Sequence, residues 1–233
     1  MGVELIESLV SEKILRQYCG EPKAPLHPNR ISAIGGASTL CGTLMLSHPW
    51  TAPIGVFGIV AGDAVADYYD GKFATKYDLK TKEGAKLDPF FDKVKNFSVG
   101  TYVIAVEGMT NPLSLVFASS FVVDAVSQRM GRGPFLEQTV EVYNAVRNPE
   151  NCISDNNEKS KLRAVSFGKW KTGLQAATHI SYAVNQLVPY DYIFSNNTSN
   201  LVEQGVNYGL AGLLGVSTIL GVMGIVKRVG NSN

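Results

Sequence analysis

The chain has little of what soluble catalysts and nucleic-acid binders depend on. Its three cysteines, Cys19, Cys41 and Cys152, are odd in number and far apart, which excludes a disulfide framework or a cysteine zinc site. Its three histidines, His27, His48 and His179, are isolated in sequence, so neither a Ser-His-Asp triad nor a histidine metal site finds support. The formal net charge is only +1, and the 21 Lys and Arg are interleaved with 20 Asp and Glu, leaving no one-signed patch for nucleic acid. The most informative absence is positional: residues 31–71, 96–128 and 172–226 contain no Lys or Arg at all.

With the residues that flank it, each of these stretches is long enough for two membrane crossings at about 20 residues per helix. Pro, Asn and aromatic residues at 47–55, 107–112 and 188–200 suit turns at a membrane interface, so each stretch reads as a helical hairpin. Six spans are predicted, at 30–47, 53–75, from 84 onward, 111–128, 164–187 and 204–226. The basic residues then fall on one side, at 13–30, 72–95, 129–171 and 227–228. The excess of Lys and Arg in cytoplasmic loops places that side, with both termini, in the cytoplasm. Residues 3–19, "VELIESLVSEKILRQYC", put apolar side chains near helical spacing, as an amphipathic helix on the membrane surface does. The expected fold class is all-α and polytopic: a juxtamembrane amphipathic helix in 1–23, then a six-helix transmembrane domain in 24–228. Residues 130–163 read as one long polar loop.

Against this apolar background, residues 67–92, "DYYDGKFATKYDLKTKEGAKLDPFFD", concentrate carboxylates. Asp67, Asp70, Gly71 and Ala74 recur at i, i+3, i+4 and i+7 and share a helix face; Gly84, Asp88 and Asp92 do the same on the next helix. Both sets sit at the cytoplasmic ends of adjacent antiparallel spans. Four converging carboxylates repel unless cations neutralise them, and hard oxygen ligands favour Mg²⁺, Mn²⁺ or Ca²⁺ over zinc. Carboxylate-held Mg²⁺ keeps positions that substrate phosphates fill, so a phosphate-bearing ligand is expected. The small residues either leave room for that ligand or only let the helices pack closely. Asp63, one turn inward, is a further candidate support. Because intramembrane acids also mark ion pathways, a divalent-cation transporter is the competing class.

The pattern D-x2-D-G-x2-A-T-x8-G-x3-D-x3-D over residues 67–92 closely resembles the signature of the CDP-alcohol phosphatidyltransferase family. "HPNRIS" (27–32) is similar to the family's entry to its first span, while "LDPFFDKV" (87–94) and "GKWKTGLQ" (168–175) look like its phosphatidylglycerophosphate synthase branch. The resemblance implies an integral-membrane transferase in phospholipid biosynthesis, in which an acceptor hydroxyl attacks the β-phosphorus of a CDP-linked lipid and releases CMP. It implies two Mg²⁺ or Mn²⁺ ions on Asp67, Asp70, Asp88 and Asp92, with Asp92 also the general base. Gly71, Ala74 and Gly84 would line the cytidine pocket with Asn29, and Thr75 would stand beside the donor. Lys169, Lys171 and Thr172 would receive an acceptor such as glycerol 3-phosphate; inositol phosphate, inositol and serine are the alternatives. A homodimer is implied as well, and no nucleic-acid partner. The chain departs from the pattern twice. Thr75 replaces the usual Arg, leaving Lys72 and Lys76 as the nearest cations, and the fourth span carries a single acid, Asp124, in place of the branch's Arg-Glu pair.

Overall fold

A computed structural model describes residues 27–76, 79, 81, 84–132, 135–149, 166–189 and 196–230. The amphipathic helix expected in 1–23 lies outside the described residues, as does most of 148–163. What is described is all-helical. Helix α1 spans Pro28–Met45; α2 (Ala52–Val60), a π-helical segment (Ala61–Ala66) and α3 (Asp67–Lys76) run on end to end; α4 spans Gly84–Glu107 and α5 Pro112–Arg132. After them come α6 (Phe135–Arg147), α7 (Ser166–Asn185) and α8 (Asn196–Gly230).

Local chemistry sets the helix ends. His27 caps α1, its Nδ1 accepting from the Asn29 backbone N–H at 3.2 Å, and Pro28 takes the first helical position, where no backbone donor is needed. Gly108 follows α4 with φ +78, the left-handed conformation that closes helices, and its N–H donates to the Ile104 carbonyl. Helix α1 packs along α2, the π-helical segment, α3 and α4, while α8 lies against α7 and α5. At the α1–α2 crossing the backbones nearly touch: a Cβ at Gly55 would stand 2.6 Å from the Gly42 carbonyl oxygen, and one at Gly42 would stand 2.6 Å from that of Gly55. Only glycine permits such an approach.

Six long helical stretches stand close to the six expected spans. Among the described residues, Thr198–Lys227 is the one helix both long and apolar enough to cross a membrane by itself; Pro112–Ser127 is apolar but shorter. The interior explains the modest hydropathy of the rest. Val99, Val103, Leu113, Phe117, Tyr182 and Leu214 form an apolar core, yet Thr39, Asp63, Asn96, Ser120, Asp124 and His179 are buried too. Large apolar side chains meanwhile face outward, among them Phe57, Val122, Leu201 and Ile219.

The polar loop expected over 130–163 is corrected in its first half, where α6 forms. Val142 and Ala145, one turn apart, bury against Leu87 and Phe90 of α4, which gives this polar segment an apolar stripe to fold on. The turn expected at 188–200 is shorter, because α8 already begins at Asn196.

Candidate functional site

Antiparallel succession brings the starts of α1, α4 and α7 to the same end of the bundle as the finishes of α3 and α5. Asp67 and Asp70 lie in the first turn of α3, Asp88 and Asp92 one turn apart near the start of α4, and α1 packs against both helices. Its Ser32 joins them: the hydroxyl oxygen stands 2.6 Å from Asp70 Oδ2, 3.4 Å from Asp88 Oδ1 and 3.2 Å from the Pro28 carbonyl. Asp92 Oδ2 accepts from Thr172 Oγ1 of α7 at 3.1 Å and lies in the fields of Asp67, Asp88 and Lys95. Asp67 Oδ1 is paired with the ammonium of Lys95, one turn beyond Asp92 on α4. The four aspartates read from the spacing thus form one electrostatically coupled group.

The remaining candidates are distributed around them. Asn29 is buried, and a Cβ on Gly84 would stand 3.0 Å from its amide oxygen, so these two residues meet. Asn29 Nδ2 also donates to the Ala145 carbonyl at 3.1 Å, tying the start of α1 to α6. A Cβ on Gly71 would meet nothing within 4 Å, so the backbone is open to a ligand there. Ala74 is half-buried one turn on. Thr75 Oγ1 donates to the Gly71 carbonyl at 3.0 Å, an ordinary bond within the helix.

Lys171 does not stand free. Its ammonium is paired with Asp124 of α5, and its side chain is 15% exposed. Lys169 falls in the first turn of α7, and its side chain lies outside the described residues. Thr172, read with the lysines as an acceptor contact, is engaged with Asp92.

Ser32 and Lys95 are site residues that sequence reasoning missed. Ser32 was inside "HPNRIS", and Lys95 follows Asp88 and Asp92 at i+7 and i+3, a spacing that was legible. Below the site runs a buried polar chain that no local pattern announced. Asp63 accepts from Thr39 at 2.8 Å and meets His179 Nδ1 at 2.7 Å; His179 Nε2 lies 3.3 Å from Asn96 Oδ1; and Asn96 Nδ2 donates to Asp124 Oδ2 at 3.0 Å. Asp63 therefore braces α1 and α7. The chain ends at the Lys171–Asp124 ion pair, and at its other end the Asp63 carboxylate lies in the fields of Asp67 and Lys95.

As placed, no group of three or more His, Cys, Asp or Glu side chains among the described residues stands in position to hold a metal ion. Ser32 and Lys95 engage an oxygen of Asp70 and of Asp67. The donor chemistry still fits a hard divalent cation, being all oxygen and anionic, with one hydroxyl in reach of carboxylates from both helices.

The fold and site define an all-helical protein with a coupled carboxylate group at one end of a bundle that faces outward with apolar side chains. The chain belongs to the CDP-alcohol phosphatidyltransferase family, whose model matches residues 26–208. Its chemistry is accordingly the transfer of phospholipid head groups from a CDP-alcohol, in a membrane-associated and generally divalent-metal-dependent family. Membership in a transferase family sets the transporter reading aside. No curated protein and no solved structure matches the chain.

Proposed function

We propose that the protein is a six-span membrane enzyme that transfers a phosphatidyl or archaetidyl group from a CDP-linked lipid to a small alcohol, glycerol 3-phosphate first among the candidates, and releases CMP. The observation that carries this reading is the coupled group formed by Asp67, Asp70, Asp88 and Asp92 on the family motif, with the open backbone of Gly71 and the Asn29–Gly84 pair beside it. The basic clusters all fall on the side of this site, which supports a cytoplasmic active site. The outward apolar surface around a polar interior supports multiple spans, because lipid is the solvent such an exterior suits.

In this reading Asp67, Asp70, Asp88 and Asp92 would hold two divalent ions, Mg²⁺ or Mn²⁺, which would supply positive charge to the donor diphosphate and the leaving CMP. Asp92 accepts the acceptor's hydroxyl proton; the acceptor oxygen bonds to the β-phosphorus, and the bond from that phosphorus to the CMP oxygen breaks. The Thr172 hydroxyl fixes one oxygen of Asp92 and leaves the other for the proton. Asn29, Gly71, Ala74 and Gly84 receive the cytidine, with Thr75 at the pocket rim, and Lys169 and Lys171 attract the acceptor's phosphate. As the family resemblance implies, the working unit is a homodimer.

One observation favours a second acceptor class. Asp124 already neutralises Lys171, which weakens its attraction for an acceptor phosphate and suits uncharged inositol or zwitterionic serine. CMP release from CDP-diacylglycerol, with each acceptor in turn and with or without Mg²⁺, tests both readings. Mg²⁺-dependent release with glycerol 3-phosphate supports the first, and release with inositol or serine alone supports the second. The absence of release with any acceptor, for diacyl and ether donors alike, overturns the reaction.

A further inference from the structure

Lys95 is the one lysine among the described residues that is both buried and placed inside the carboxylate group. Its side chain is 4% exposed, and its ammonium meets Asp67 Oδ1 directly while lying in the fields of Asp63 and Asp92. Burying an ammonium costs several kcal/mol unless close carboxylates compensate it. A lysine used only for packing has no need to sit there. The position also has a consequence for Asp67: with Oδ1 on the ammonium, one oxygen remains for any other cation. A divalent ion on that oxygen would stand next to a fixed positive charge, which water screens only in part because Lys95 is buried while Asp67 is 35% exposed.

We infer that Lys95 is a built-in monovalent cation of this site, which holds Asp67 in place and sets the affinity for divalent metal by competing with it. This deepens the metal reading above and rests on it. With Lys95 in place the site needs less added positive charge to stay folded, and its ions are held loosely enough for their occupancy to follow the metal concentration. The residue acts through Asp67 and is a positioning residue.

The test is direct metal binding, read as loss of the free Mn²⁺ EPR signal when Mn²⁺ is titrated into the full-length protein in detergent without substrate. K95M is expected to bind Mn²⁺ about ten-fold more tightly or better, the sense and scale that Coulomb's law gives for removing a unit charge a few ångströms from a divalent ion. K95R keeps the charge and keeps the wild-type affinity. Unchanged or weaker Mn²⁺ binding by K95M overturns the inference and leaves the metal reading standing. Wild-type protein that binds no Mn²⁺ overturns the metal reading and this inference with it. Because K95M strands Asp67 and could fail to fold, D67N and the double variant D67N/K95M are compared as well. The double variant, freed of the stranded lysine, is expected to bind Mn²⁺ more tightly than D67N, and equal or weaker binding rejects the competing role of Lys95.

Discussion

Asp92 and Thr172 give the sharpest expectations at the level of single residues. D92N keeps the hydrogen-bonding shape and removes the proton acceptor, so CMP release should fall by about 10²–10⁴-fold, the range for a lost general base, while the protein elutes as wild type on size exclusion. T172V removes the 3.1 Å hydrogen bond to Asp92 Oδ2. It should lower kcat about 10- to 100-fold, the equivalent of roughly 1.5–3 kcal/mol for one hydrogen bond to a charged group. T172S should retain most of the rate, and equal damage in both variants would show that the hydroxyl alone does not account for the loss. The aspartates were legible because Asp67, Asp70, Asp88 and Asp92 repeat at helical spacing, which one chain segment displays by itself. The engagement of Lys171 with Asp124 was not, since it depends on how α5 and α7 meet across 47 residues. Lys95 lay between these cases, with a readable spacing and a partner on another helix.

The helices themselves carry two further expectations. His27 caps α1 through a neutral Nδ1, and burial, with Arg30 nearby, pushes its pKa below the ordinary 6.5. The unfolded chain therefore takes up the proton more readily than the folded one, so stability from this cap is complete above about pH 6.5 and declines as pH falls below it. Melting in detergent should drop between pH 7.5 and 5.5, and H27N, which accepts the same bond without titrating, should flatten that dependence. At the α1–α2 crossing, G55A forces a methyl group to 2.6 Å from a carbonyl oxygen and should destabilise by about 1–3 kcal/mol, seen as a lower melting temperature. The positions of α1, α2 and α5 were readable from unbroken runs without Lys or Arg. Helix α6 was not, although Val142, Ala145 and Val146 recur at helical spacing, because the polar run that follows it made the whole of 130–163 read as loop and its partners Leu87 and Phe90 come together with it only in the fold.

For the whole molecule, the polar interior and apolar exterior explain why an average composition conceals a membrane protein: the polar share of the sequence is spent inside, on contacts such as Asp63 with His179 and Asn96 with Asp124. Charge placement marked out the long helical stretches, and the hydropathy of single helices did not. The proposed six-span arrangement predicts which turns are accessible from which side. In a variant lacking Cys19, Cys41 and Cys152, single cysteines at Trp50 and Thr110 should react with an impermeant maleimide on intact cells, whereas those at Lys76 and Asn148 should react only after permeabilisation. Labelling of all four from outside would refute the topology. The contact of Gly42 with Gly55 bears on sequence variation as well. In a saturation library selected for growth, these two positions should be as intolerant as the aspartates, though both sit at the far end of α1 and α2 from the site. Intolerance alone would then misdirect a search for the active site, and the two classes separate only when surviving protein level is scored beside activity.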